Sequence, residues 1–161
     1  MTANESVELS VFAILLRLAL SALIGGVIGY ERRLHHKAIG VAGMMLVGIG
    51  SCSYLLLAKH LSNTDPAAIS RAVQGILQGI GFLGGAVIFK GGADVRGIKT
   101  AAAIWITGVI GMSIATWFYW LGITVGAATF LILYFADRFF SREDNEAEEG
   151  PPHDYGVMKK K

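Results

Sequence analysis

The amino-acid sequence predicts an all-α fold, a polytopic membrane bundle of about five transmembrane helices. The chain has 161 residues, of which 53% are hydrophobic and 16% charged. A soluble domain carries about 25% charged residues. The charges of this chain cluster in short blocks between long apolar runs. That pattern is typical of a membrane protein that crosses the bilayer several times.

The predicted membrane domain has five spans, each near the length of about 20 apolar residues that a crossing needs. Within residues 1–138 they cover, in chain order, about 9–30, 39–58, 71–90, 98–115 and 117–138. Arg17 is the one charge inside the first span, and the second has none. Arg71 and Lys90 bound the third, where long side chains can reach opposite interfaces. Residues 98–138 are too long for one span, so they divide at the aromatic run 117–120, typical of a membrane interface.

Basic residues are divided unequally between the two sides that these spans define. On one side, eight lie in or next to the loops that follow spans one and three and at the start of the tail. On the other side there are two, Lys59 and Arg71. Because cytoplasmic segments carry an excess of Lys and Arg, the N-terminus is predicted outside and the C-terminus in the cytoplasm. Residues 139–161 are predicted to form a charged, disordered cytoplasmic tail. The net charge of +2 gives no indication of nucleic-acid binding.

Glycine is concentrated in the third span, where residues 79–85 read GIGFLGG. Inside lipid the backbone stays helical, and small residues four apart allow another helix to approach closely. The residues predicted to form such a packing or interaction surface are Gly75, Gly79, Gly81, Gly84 and Gly85. The same spacing occurs at Gly25 and Gly29 in span one. Packing within the chain, an interface between copies and a flexible, partly broken span are the alternatives for span three.

Three polar side chains form a candidate intramembrane site. Arg17 is expected either to reach the outer surface as an anchor or to be a buried partner for polar groups or an anion. Gln74 and Gln78 are spaced for one helix face and are expected either to bond neighbouring helices or to line a hydrated crevice.

At the cytoplasmic face, Glu31 is expected to pair with Arg96 or Lys99, beside Arg32. Catalytic, cofactor and metal sites are not predicted. The sequence contains no evident nucleophile–base pair, and four histidines with one cysteine have no zinc-binding spacing. An enzyme is therefore the least favoured class.

Two segments carry a resemblance to a known family. The sequence GIGFLGGAVIFKGGADVRGIKTAAAIWITGVIGM (79–112) resembles the central motif of the MgtC/SapB family of bacterial inner-membrane proteins, and LLRLALSALIGGVIGYERR (15–33) resembles its opening helix. The chain departs from the family at Ala42, Gly43 and Met44, where an Arg, a Thr and a His usually stand. Many members carry a soluble C-terminal domain, so a short form without that domain is expected here.

The resemblance implies an inner-membrane protein connected with magnesium limitation, virulence or the regulation of other membrane proteins. The favoured interpretation is a non-catalytic regulator that contacts partner helices in the bilayer, with a homo-oligomer as a further possibility. The alternative is a transporter or channel component for Mg²⁺. Magnesium prefers carboxylate oxygens, and the predicted spans hold acidic residues only at their cytoplasmic edges.

Overall fold

The computed structural model describes residues 11–34, 37, 39–63, 65–91 and 94–139. The predicted disordered tail lies outside the described residues except at Phe139. Five helices follow one another along the chain, and a short antiparallel hairpin separates the third from the fourth. The elements are α1 (Val11–Leu34), α2 (Val41–Leu61), α3 (Pro66–Ala86), β1 (Phe89–Gly91), β2 (Asp94–Arg96), α4 (Ile98–Ala115) and α5 (Tyr119–Phe139). The predicted helical membrane bundle is confirmed, and the hairpin is an addition that the sequence did not predict.

The third helix begins and ends earlier than predicted. Its first turn is fixed by Asp65, whose carboxylate accepts hydrogen bonds from the backbone N–H groups of Ala67 and Ala68 at 3.1 and 3.2 Å. Pro66 follows at the first helical position, where its missing N–H has no intrahelical partner to lose. α3 therefore starts at Pro66 rather than near 71 and ends at Ala86 rather than near 90. Capping chemistry, not the charge at Arg71, determines where it starts.

A glycine in a left-handed conformation joins the hairpin to α4. Gly97 has a φ of +90°, which side chains with a Cβ rarely adopt. A Cβ at this position would also collide with the backbone carbonyl of Val87. The turn therefore requires glycine for two independent reasons, and it directs α4 back along α3.

Close contacts at three glycines of the bundle set the direction of α1, α2 and α4. A Cβ at Gly25 would lie 2.6 Å from the carbonyl oxygen of Met44, and one at Gly29 would lie 2.7 Å from the Cα of Val41. Later residues of α1 thus meet earlier residues of α2, so the two helices are antiparallel. Gly111 of α4 meets the backbone of Gly48 and Cys52, while Thr107 meets Met44. These pairs advance together along both helices, so α2 and α4 are parallel.

α3 packs antiparallel to α4. Ile80 fills the space beside Gly108, and Gly84 lies against Ala101 nearer the start of α4. Because α2 and α4 are parallel, α3 carries the chain back from the end of the bundle where α2 finishes to the end where α4 begins. It therefore runs alongside the other helices rather than across their ends.

Four of the five helices are long and apolar enough to cross a membrane, namely α1, α2, α4 and α5 among the described residues. α3 does not reach that hydropathy, because it carries Arg71, Gln74 and Gln78. α4 is central, with 61% of its span buried, compared with 22% for α1 and α5. The outward residues of α1 and α5 are large and apolar, for example Leu23 and Ile132. Such a surface suits a bilayer, and the crossing of the membrane by α3 stays a prediction.

Candidate functional site

Four of the five glycines predicted to pack in the third span lie on the outside of the bundle. A Cβ built at Gly75, Gly79, Gly81 or Gly85 would meet no heavy atom of the described residues within 4 Å. Gly84 differs, because its Cβ would lie 3.5 Å from the carbonyl oxygen of Ala101, an ordinary van der Waals distance. Four of the five glycines therefore make no close contact with any described part of the chain. An interface with another chain stays a prediction.

These glycines face outward because of the rotation of α3 about its own axis. Its buried residues are Ile76, Ile80 and Gly84, which lie on one face at helical spacing and meet α4. The opposite face, which we name the outer face of α3, consists of Arg71, Gln74, Gly75, Gln78, Gly79, Gly81, Phe82 and Gly85, all exposed. Phe82 is the one large apolar side chain on this face, and it is 78% exposed. The apolar stripe of α3 thus faces inward and its small and polar residues face outward.

Gln74 and Gln78 are both exposed on this outer face, and whether they bond a neighbouring helix or line a hydrated crevice stays a prediction. Neither amide makes a hydrogen bond to another of the described residues. Beside them, a lateral groove of about 490 Å³ separates α3 from α2. It is lined mainly by apolar and small residues, among them Leu46, Tyr54 and Leu83. The outer face and the groove share Gly75 and Gly79, so together they form one continuous surface.

Arg17 lies inside the bundle, not at its surface. It is 1% exposed, and its Nη1 donates a hydrogen bond to the backbone carbonyl of Ala115 at 3.2 Å. Its guanidinium carbon lies 3.7 Å from the centroid of the Trp117 ring, a cation–π contact. Of the two expectations for Arg17, the structure has the buried side chain. No local pattern in the sequence predicts Trp117 as its neighbour.

Trp117 occupies an unusual backbone conformation in the turn between α4 and α5. Its φ is +69°, in the left-handed region that bulky side chains avoid. The preceding Thr116 closes the end of α4, since its hydroxyl donates to the carbonyl oxygens of Met112 and Ser113 at 3.0 Å. The contact with Arg17 holds the indole over the interior. The aromatic run 117–120 in the sequence predicts this turn, but it does not predict the strained backbone conformation of Trp117.

The opposite end of the bundle contains an ion-pair cluster. Arg32 of α1 donates from Nε to Glu31 and from Nη2 to Asp137 of α5. Lys99 at the start of α4 donates to the other oxygen of Asp137 at 2.9 Å. Asp137 thus joins α1, α4 and α5, and the expected pairing of Glu31 with Arg96 or Lys99 stays a prediction. Arg96, the fourth predicted charge, lies exposed at the end of β2.

The sequence contains a signal for Asp137 that the span boundaries concealed. The buried residues of α5 are Gly122, Gly126, Thr129, Leu133 and Asp137. They recur every three or four positions, so Asp137 continues the buried stripe of its helix. Glu31 and Asp137 are buried within the last turns of α1 and α5, rather than at solvated edges. Their charges are compensated by Arg32 and Lys99.

No group of three or more His, Cys, Asp or Glu residues that could hold a metal ion occurs in the part of the chain that the structure describes. The two polar clusters, Arg32 with Asp137 at one end of the bundle and Arg17 with Trp117 at the other, have different chemistry. At one end, opposite charges compensate one another, and at the other a single buried guanidinium has neutral neighbours.

The parallel and antiparallel apolar helices, with polar clusters at both ends, define a multi-pass helical membrane protein. Comparison with known proteins agrees. The MgtC family profile matches residues 18–142, and the chain belongs to the MgtC family. Protein MgtC of Brucella abortus is 37% identical over 95 residues, which cover 59% of this chain and 39% of that protein. Protein MgtC of Salmonella typhimurium is 36% identical over 101 residues, 63% of this chain and 42% of its own length.

A third relative aligns over more of the chain. YhiD of Escherichia coli K12, whose name provisionally gives it as a magnesium transporter, is 34% identical over 125 residues. The alignment covers 74% of this chain and 58% of YhiD. This chain spans about two fifths of the length of the MgtC proteins that it matches. No solved structure matches it.

Proposed function

We propose that this protein is a non-catalytic regulator in the bacterial inner membrane, and that it binds a transmembrane helix of another membrane protein on the outer face of α3. One observation carries the proposal. The outer face places two glutamine amides and four glycines where the described residues offer them no partner. In a bilayer an amide without a hydrogen-bond partner is costly, and glycines favour close approach of a second helix.

The partner that suits this surface is an apolar helix with small residues and at least one hydroxyl or amide group. Small residues would let its backbone approach Gly75, Gly79 and Gly81. A polar group near the middle of the contact would bond Gln74 or Gln78, an interaction worth about 0.6–2 kcal/mol in membrane proteins. The adjoining groove between α2 and α3 would accept a large apolar side chain from the same helix.

Site-specific photocrosslinking in intact cells tests this proposal. A photoreactive amino acid at Phe82 should give a discrete protein adduct, whereas the same group at Ile132 of α5, also exposed, should not. The identity of the adduct then decides between a different protein and a second copy of this chain. Equal adducts at both positions, or none at Phe82, would contradict a partner on the outer face.

The alternative is a magnesium transporter or channel component, which the name of YhiD favours. Against it, Asp137 contacts both Arg32 and Lys99, so its carboxylate oxygens are engaged by cations of the protein itself. Magnesium requires such oxygens and loses its bound water reluctantly. Purified protein in liposomes should therefore show no more Mg²⁺ flux than empty liposomes, and a clear flux would favour the transporter.

The proposed orientation has the Arg17–Trp117 end outside and the Arg32–Asp137 end in the cytoplasm. The excess of Lys and Arg in the loops near Arg32 and Lys99 supports it. The proposal also includes five crossings, supported by the antiparallel packing of α3 between parallel α2 and α4. A connection to magnesium limitation, as the family membership implies, is tested by growth of a deletion strain at low magnesium.

A further inference from the structure

Arg17 and Ser21 form a buried cluster whose hydrogen-bond donors are incompletely used. They are four residues apart on α1, on the same face of the helix. Arg17 uses Nη1 for the carbonyl of Ala115, but its Nε and Nη2 have no acceptor among the described residues. The hydroxyl of Ser21 is also buried, and the thiol of Cys52 is the neighbour with which it can form a weak hydrogen bond. Unused donors of this kind are rare in folded proteins and indicate that a further group binds beside them.

The charge of Arg17 is only partly compensated. No ion pair of the described residues includes Arg17. The carbonyl end of α4 supplies the equivalent of about half a negative charge, and the face of the Trp117 ring adds a weaker attraction. A guanidinium that is 1% exposed inside a bilayer protein is costly unless a counter-ion completes the balance.

We propose that Arg17 and Ser21 bind a halide-sized monovalent anion between α1 and α2, next to α4. The donors would be Nε and Nη2 of Arg17 and the hydroxyl of Ser21. One charge is sufficient, because a divalent anion would leave an excess negative charge buried beside the carbonyl end of α4. The anion has to be small because α1 and α2 approach each other closely here. A Cβ placed at Gly48 of α2 would lie 2.8 Å from the backbone carbonyl oxygen of Ser21.

Two neighbours complete this site. Cys52 of α2 is buried beside Ser21, and its thiol is a further weak donor. Trp117 covers the guanidinium from the turn between α4 and α5, and its side chain is 54% exposed. Rotation of the indole away from Arg17 would open a path from the membrane surface to the unused donors. This site is separate from the outer face of α3 and does not depend on the function proposed there.

Chloride dependence of thermal stability tests the proposal. The purified full chain in detergent is titrated with chloride at constant ionic strength, with gluconate as the bulky replacement anion. The wild-type Tm should rise and saturate, and Arg17→Gln should abolish that rise. Ser21→Ala should increase the half-saturating chloride concentration about tenfold, as expected for one hydrogen bond to an ion. The matched control Arg71→Gln, which removes an exposed arginine, should keep the wild-type dependence.

A measurement on the wild-type protein alone covers the case in which Arg17→Gln fails to fold. The ³⁵Cl resonance should broaden when the protein is added and sharpen again with bromide. No broadening, together with a Tm that ignores chloride, would overturn the proposal. Cys52→Ala should retain the chloride dependence. If that variant instead acquired a dependence that the wild type lacked, the Cys52 thiolate would be the counter-ion and the anion site would be excluded.

Discussion

Arg32 and Asp137 form a buried ion pair between helices α1 and α5, although 105 positions separate them in the sequence. Lys99 contacts the same carboxylate from α4 and is only partly buried. Removing one partner of a buried pair leaves the other charge uncompensated, whereas removing both does not. The two partners should therefore respond very differently to single and double substitution.

Asp137→Leu is expected to destabilise the protein by about 3–5 kcal/mol, the usual cost of removing one partner of a buried ion pair. Arg32→Met combined with Asp137→Leu should recover part of that loss, because the Arg32–Asp137 pair is then removed as a whole, although buried Glu31 loses its contact with Arg32. Lys99→Ala should cost less than either single change at Arg32 or Asp137, since solvent screens its charge. Thermal unfolding in detergent measures these three variants and the single variant Arg32→Met. A double variant less stable than Asp137→Leu would contradict this account.

Glycine substitutions should have opposite effects on the two sides of the bundle. Gly111→Ala places a methyl group against the backbone of Gly48 and Cys52, which cannot move aside easily, so we expect a loss of about 1–3 kcal/mol. Gly81→Ala, on the outer face of α3, meets no neighbour and should leave the Tm unchanged or slightly raised. The same substitution in the same kind of element makes the two variants a matched pair. Equal losses at both positions would show that α3 packs differently from the structure described above.

The glutamines of α3 should matter for binding and not for stability. Replacing Gln74 and Gln78 together by Leu removes no hydrogen bond among the described residues, so the detergent Tm should not fall. The photocrosslinked adduct at Phe82 should nevertheless weaken, because the partner helix loses its polar contacts. Ile132→Ala on α5 is the control, and it should leave both measurements unchanged. A large fall in Tm in the double Leu variant would place these amides inside the fold.

Topology can be decided by cysteine labelling in a Cys52→Ala background. Cysteines at Ser62 and Thr116 should react with an impermeant reagent added to intact cells, and cysteines at Lys37 and Arg96 should not. The outcome at Arg96 tests α3 directly, because that residue changes sides if α3 does not cross the membrane. Labelling at Ser62 and Arg96 together would therefore reduce the number of crossings to four.

Periodicity and charge were sufficient to predict the helical bundle, and they placed α4 at its observed boundaries of 98 and 115. They failed at α3 because hydropathy does not report capping, which starts the helix at Pro66. They also could not tell which side of α3 faces inward. Glycines favour close helix approach, but the contact partner is a property of the tertiary fold, and Ile76 and Ile80 meet α4 instead.

The candidate site was predictable only in part, for a similar physical reason. Arg17 was conspicuous as a charge in an apolar run, and its burial was one of two expectations. Its contacts with Ala115 and Trp117 join residues about a hundred positions apart, and no local pattern encodes them. Asp137 was visible in the sequence, but placing the membrane edge at 138 made it look like a solvated flank rather than the end of a buried stripe.

The order of α3 and α4 in the chain has a consequence during synthesis. α3 is the one of the five described helices that is not apolar enough to count as a candidate membrane span, and the residues that accept its buried face, Ala101 and Gly108, belong to α4. The ribosome makes those residues after α3 has already left the peptidyl transferase centre. In the five-crossing topology proposed above, α3 enters the membrane before its main packing surface exists, and it must wait at the insertion machinery, or against α2 alone, until α4 emerges.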